Sequence, residues 1–254
     1  MLLAIDIGNS NVVVGFVKDR QIVGKARMAT DVIKTSDQYW MELKSILDLF
    51  KIPVEEIEGV IISSVVPPVL NSCRTAVKKL AGLEPMVVGP GVKTGVNILT
   101  DNPAQVGSDL IVSAVAAIRE YPTPLLIVDM GTATTISVVN RQGAFLGGCI
   151  CPGVKISSEA LANRTAQLPG ISLEAPAKAI GRNTIDCMQS GVMIGSAAML
   201  DGMIDRMEQE LGEPVTVVAT GGIARYVIPQ CHRKILYDRD LLLKGLVILY
   251  ENNR

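Results

Sequence analysis

Residues 2–14 read LLAIDIGNSNVVV, and residues 125–137 read LLIVDMGTATTIS. Placing Asp6 on Asp129, 123 positions later, also places Gly8 on Gly131, Asn9 on Thr132 and Asn11 on Thr134. Each copy opens with an aliphatic run suited to a strand buried on both faces, then a polar turn, then more strand-like sequence. That further sequence is Val12–Val17 and Gln21–Arg27 in the first copy, Thr135–Asn140 and Ala144–Cys151 in the second. A repeat spaced at about half the chain is the signature of duplication. It predicts an α/β protein of two related halves with mixed sheets, divided as residues 1–118 and 119–254, with the crossover near 115–124.

The rest of each half alternates helices with strands. Thr35 and Gln38 form a capping-box pattern before the amphipathic run Tyr39–Phe50. Glu58–Ser63 is a short apolar strand, and Pro67-Pro68 opens a helix to about Leu80. Asn102-Pro103 fits the N-cap and first position of a helix through about Glu120. Asn183 or Thr184 caps a long helix to about Leu211, whose Gly191, Gly195 and Gly202 suggest close helix packing. Pro214–Ala219 is a strand, and Asp238–Tyr250 a closing helix.

The repeated turn has a physical purpose. Glycine lets the backbone turn tightly, so that N–H groups reach an anion. The following hydroxyl and amide side chains add donors without bulk, and the Asp can hold a hydrated Mg²⁺ beside phosphates. One Asp-x-Gly turn is common punctuation. Two at homologous positions, facing each other across a cleft, would grip a polyphosphate from both halves. The apolar strand Val217–Thr220 ends in Gly221-Gly222, a flat surface for a nucleoside. GxxxxGK[ST] and GxGxxG are absent, which excludes a P-loop and the dinucleotide fingerprint.

Bulk properties narrow the partners. The 254 residues are 48% hydrophobic and 19% charged with net charge −1, and no Lys/Arg run exceeds two residues. That is no footprint for nucleic acid or an anionic membrane. No uncharged stretch reaches membrane-span length, and the strand pattern starts at Met1 without a targeting segment, so a cytoplasmic location is expected. The five cysteines are scattered and odd in number, which points to buried thiols rather than a disulfide framework. His232, the one histidine, lies between basic neighbours and is expected at the surface.

Together the three nucleotide elements resemble the phosphate-1, phosphate-2 and adenosine motifs of the actin and sugar-kinase superfamily, implying a duplicated actin/ribonuclease-H-like fold with an ATP cleft between its halves. Within it the chain resembles the type III pantothenate kinases almost end to end. The matching stretches are Asp6-Ile7-Gly8-Asn9-Ser10-Asn11, Pro103–Asp109, Asp129–Thr135, Gly147-Gly148, Pro152-Gly153, Arg164–Pro169, Gly181–Thr184 and Met188–Gly191. The resemblance implies transfer of the ATP γ-phosphoryl to the primary hydroxyl of pantothenate. It makes Asp109 the catalytic base, and Asp6, Ile7, Gly8, Asn9, Ser10, Asn11, Val12, Val13, Thr132, Gly221 and Gly222 the nucleotide contacts. Asp6 would hold Mg²⁺ through water, and Asp129 the monovalent cation, K⁺ or NH₄⁺. Thr100, Gly107, Ser108, Asp109 and Leu110 would line the pantothenate site, joined by Thr184 from the second subunit of a homodimer.

Two positions depart from the family pattern: Leu110 replaces the usual Arg, and Thr100 the usual Tyr. Neither can pair with the pantothenate carboxylate as an Arg does. Arg164 is a candidate replacement. These departures keep open a paralogue acting on another small alcohol; a non-catalytic accessory protein is disfavoured by the intact carboxylates.

Overall fold

The computed structural model describes residues 1–254. They form two compact units, one of Met1–Val96, Asn102–Ala116 and Leu241–Arg254, the other of Asn97–Asp101 and Ala117–Asp240.

The first unit begins with an antiparallel meander of β1 (Leu2–Ile7), β2 (Asn11–Lys18) and β3 (Gln21–Ala29). Helix α1 (Ser36–Leu49) follows, started by the predicted capping box: the Gln38 N–H donates to Thr35 Oγ1, and the Thr35 N–H to Gln38 Oε1. Its Tyr39, Leu43 and Leu47 point into the core, where burying such side chains contributes about 1.5–3 kcal/mol each. Strand β4 (Gly59–Ser64) lies parallel to β1; α2 (Pro67–Ala81) starts at the proline pair and ends at left-handed Gly82. With β5 (Met86–Val87), the sheet order is β3-β2-β1-β4-β5.

Helix α3 covers Ser108–Glu120, which corrects the expected start at Asn102. Pro103–Gln105 is a single 3₁₀ turn, Asn102 makes no side-chain cap, and Val106 is extended with ψ 126°. Ser108 anchors the true start: its hydroxyl donates to the Ser64 carbonyl oxygen at 3.1 Å and lies 3.1 Å from Ser63 Oγ. Asp109 therefore stands in the first turn of α3.

The second unit repeats the plan. Strands β6 (Leu125–Met130), β7 (Ala133–Val139) and β8 (Phe145–Pro152) make the meander, and α4 (Val154–Arg164) follows. The expected long helix comprises α5 (Thr184–Gln189), a π-helical turn at Ser190–Ile194 and α6 (Gly195–Leu211), with Asn183 as the N-cap. Side chains added at Gly191 or Gly202 would meet no neighbouring atom, so helix packing within the chain does not explain them. Strand β9 (Thr216–Thr220), the short α7 (Ala224–Val227) and β10 (Leu236–Tyr237) complete the order β10-β9-β6-β7-β8. The closing helix α8 (Leu241–Asn252) packs on β1 and β4, so the chain returns to its first unit instead of dividing linearly at 118/119. No helix is long and apolar enough to cross a membrane.

Pairing registers establish the duplication and revise its alignment. Asp6 faces Val13 across β1–β2, whereas Asp129 faces Thr135 across β6–β7. The second turn is thus one residue shorter, and Asn11 corresponds to Ala133, not to Thr134. A β-bulge then falls at corresponding places, between Phe16 and Val17 and between Val138 and Val139. After it the original spacing returns, because Ala29 pairs with Asn11 as Pro152 pairs with Ala133. In the parallel halves, Asp6 lies beside Ser63 as Asp129 lies beside Thr220.

Candidate active site

In the first unit, Asp6 is half-buried at the C-terminal end of β1. The Gly8 N–H donates to the Asn11 carbonyl oxygen at 3.0 Å, closing a turn whose Asn9, Ser10 and Asn11 are exposed. Ile7 and Val12 are fully buried, so any ligand contact they make is through backbone. Val13 is half-buried opposite Asp6.

Asp109 reaches the same end of this sheet by a traceable route. Ser63, the ladder neighbour of Asp6, lies within hydrogen-bonding distance of Ser108, and Asp109 is next along the chain. The sequence-predicted Asp6 and Asp109 are thus brought to the same end of one sheet. Ser108 meanwhile has its hydroxyl committed to this anchor. The Asp109 carboxylate accepts the Leu110 N–H at 2.9 Å, and burial, partly offset by backbone hydrogen bonds, holds its pKa above the usual carboxylate value. A Cβ on Gly107 would collide with Asp109 Oδ1, so glycine there makes room for the carboxylate.

In the second unit, Asp129 ends β6 half-buried, and the Gly131 N–H donates to the Ala133 carbonyl oxygen at 3.0 Å. Two glycines close in on this turn. A Cβ on Gly153 would collide with the Thr132 carbonyl oxygen and lie 2.9 Å from that of Gly131. Gly221, at φ 93°, would bring a Cβ to 2.5 Å from the Met130 carbonyl oxygen and 2.9 Å from Asp129 Oδ1. The Gly221 carbonyl oxygen accepts the Tyr237 hydroxyl at 3.2 Å. Gly221 thereby joins the adenosine-like strand end to the phosphate-like turn.

Sequence reasoning missed Thr30, Gly153 as a turn contact, and Thr135. Thr135 Oγ1 is buried without a hydrogen-bond partner, on the strand position facing Asp129. The run of threonines at this strand start, Thr132, Thr134 and Thr135, was the signal available. Thr100, predicted together with residues 107–110, belongs instead to the second unit, and its Oγ1 is likewise buried and unpartnered. Thr184 is exposed on the rim of a cavity of about 550 Å³ lined also by Leu161, Leu168, Arg182 and Met188.

All five cysteines are free, and burial pushes the Cys73 and Cys231 thiols up to about 12 and Cys149 up to about 11. Cys187 is exposed, unlike the expected buried thiol, and His232 is exposed as expected.

Two five-stranded sheets of the same order, each with an Asp-x-Gly turn closing its central strand, define a duplicated actin-like α/β fold. A model of the family described as "Type III pantothenate kinase" matches residues 2–206. Two proteins named "Type III pantothenate kinase", from Exiguobacterium sibiricum and another Exiguobacterium strain, are 44% and 46% identical over 254 residues, covering 100% of both chains. The chain belongs to the type III pantothenate kinase family, and with it to enzymes that use ATP. Among solved structures, a Campylobacter jejuni protein described as a Baf family transcriptional activator has a TM-score of 0.63 at 18% identity. It covers 99% of this chain and 98% of its own, a likeness of fold.

Proposed function

We propose that this chain transfers the γ-phosphoryl group of ATP to the primary hydroxyl of pantothenate, the first step towards coenzyme A, with Asp109 as the base. The observation that carries this reading is the half-buried Asp109 carboxylate, raised in pKa and set beside the Asp6 turn by the Ser63–Ser108 contact. An alcohol is a weak nucleophile; a carboxylate within hydrogen-bonding distance orients it and accepts its proton as the phosphoryl group moves.

The first turn supplies N–H groups and the Asn9, Ser10 and Asn11 side chains to phosphate oxygens, and the second supplies Thr132. Gly221-Gly222 gives the nucleoside a surface free of side chains. The Asp6 carboxylate suits Mg²⁺ held through water, a hard ion that would neutralise the developing phosphate charge. Asp129 with the neighbouring orphaned Thr135 hydroxyl offers oxygen donors to a monovalent cation, K⁺ or NH₄⁺. The unpartnered Thr100 hydroxyl and the Gly107–Leu110 segment serve pantothenate, Arg164 is the candidate for its carboxylate in place of Leu110, and Thr184 reaches it from the second subunit of a homodimer.

The test is ATP consumption by the purified protein with pantothenate, Mg²⁺ and either K⁺, NH₄⁺ or Na⁺. Pantothenate-dependent turnover is expected in K⁺ or NH₄⁺, with little in Na⁺. ATP binding without pantothenate turnover at millimolar concentrations, alongside phosphorylation of another small alcohol, would overturn the assignment of acceptor.

A further inference from the structure

The loop after β3 is tied to the first phosphate turn in a way that its sequence does not advertise. Thr30 Oγ1 donates to the Gly8 carbonyl oxygen at 2.6 Å, and the Thr30 N–H donates to the Ser10 carbonyl oxygen at 3.1 Å. One residue on, the hydroxyl of fully buried Tyr39 donates to the Asp31 carbonyl oxygen at 2.9 Å and accepts the Asp31 N–H at 3.1 Å. Lys34 pairs with Glu42 at 2.6 Å, fastening the far end of the loop to α1. Core helix, loop and turn form one hydrogen-bonded chain.

The duplication supplies an independent argument. Ala29 pairs with Asn11 as Pro152 pairs with Ala133, so Thr30 and Gly153 occupy the same place in the two repeats. Gly153 has no side chain, and a Cβ there would run into the Thr132 carbonyl oxygen and lie 2.9 Å from that of Gly131. Both repeats therefore use this one position to hold the carbonyl side of an Asp-x-Gly turn, by a hydroxyl donor in the first and by close backbone packing in the second. Carbonyl oxygens repel a phosphate, whereas N–H groups attract it. A turn whose Gly8 and Ser10 carbonyls are held back presents its N–H groups without reorganising when the anion arrives.

We infer that Thr30 is a positioning residue for the nucleotide phosphates, acting through the Gly8–Ser10 turn and supported by Tyr39. The inference rests on the reading above that this turn binds ATP. Thr30→Val keeps the shape and removes the donor, Thr30→Ser keeps the donor, and Tyr39→Phe removes the support one step away.

The experiment measures KM for ATP and for pantothenate, together with calorimetric ATP binding in the absence of pantothenate. Thr30→Val is expected to weaken ATP about tenfold, the scale of one lost hydrogen bond, while the pantothenate KM stays within about twofold. Thr30→Ser should restore wild-type values to within about twofold, and Tyr39→Phe should shift ATP in the same direction by less. Thr30→Ala, lacking the donor too, replaces Thr30→Val if that variant does not fold. Wild-type ATP affinity in the donor-less variant overturns the inference, as does a serine variant equally weakened, or both substrates losing affinity together. Failure of the wild-type protein to bind ATP would instead sink the functional reading itself.

Discussion

Asp109→Asn is expected to lower kcat by about 10²–10⁴-fold, the usual contribution of a general base, while leaving the KM for ATP close to wild type. The amide keeps the size of the carboxylate and can still accept the Leu110 N–H through its oxygen, so the first turn of α3 should persist. What is lost is the capacity to take the proton of the acceptor hydroxyl. The pKa direction adds a second signature. Burial raises the Asp109 pKa, so the folded state binds this proton more tightly than the unfolded chain does. Its ionised form then opposes folding in full at every pH above the raised value; the opposition shrinks as the pH falls from there and is gone only below the unfolded-chain value. At neutral pH the Asn variant should therefore be no less stable than wild type, and its thermal midpoint should rise. In the wild-type enzyme the acid limb of kcat/KM should fall at a pH above the ordinary Asp range of about 3.9. A variant with wild-type kcat removes Asp109 from the chemistry. A lowered thermal midpoint would contradict the burial argument separately.

How much of this was legible beforehand differs from residue to residue. Asp6, Gly8, Asp129 and Gly131 could be found because an aliphatic strand ending in Asp-x-Gly occurs twice, and pattern repetition survives translation into structure. The alignment beyond the glycines could not be found that way. The second turn is a residue shorter and the second hairpin loop a residue longer, so the two changes cancel by β8 and leave no net trace. Asn102-Pro103 has the residue types of a helix start, yet a cap contributes only about 1 kcal/mol, which tertiary contacts readily outweigh. Here the hydroxyl of Ser108, tied to Ser63 and Ser64, decides where α3 begins. Thr30 carries no motif at all. Its relevance arises from a hydrogen bond across 22 residues, and from an equivalence with Gly153 that only strand pairing reveals.

Gly221→Ala should be a strongly damaging single-methyl change in the second unit. A non-glycine residue held in an unfavourable positive-φ conformation costs about 1–3 kcal/mol, and Gly221 stands at φ 93°. The added Cβ also meets backbone, which cannot swing aside as a flexible side chain can: 2.5 Å to the Met130 carbonyl oxygen and 2.7 Å to its carbon. Relief requires the end of β9 to draw away from β6, where Thr220 sits beside Asp129. The expected loss is about 3 kcal/mol or more, lowering the thermal midpoint by roughly 6 °C or more in a chain of this size. Function should suffer beyond stability, because the same Cβ lies 2.9 Å from Asp129 Oδ1 and would disturb the cation and nucleotide contacts proposed there. Gly212→Ala provides the comparison, since Gly212 has φ 71° at the end of α6 and nothing within 4 Å of an added Cβ. It should bear the conformational cost alone and keep its KM for ATP, whereas Gly221→Ala should raise that KM and flatten the response to K⁺. Equal destabilisation of the two variants, with no change in ATP or K⁺ dependence for either, would show that Gly221 is needed for its backbone angle and not for its approach to Met130 and Asp129.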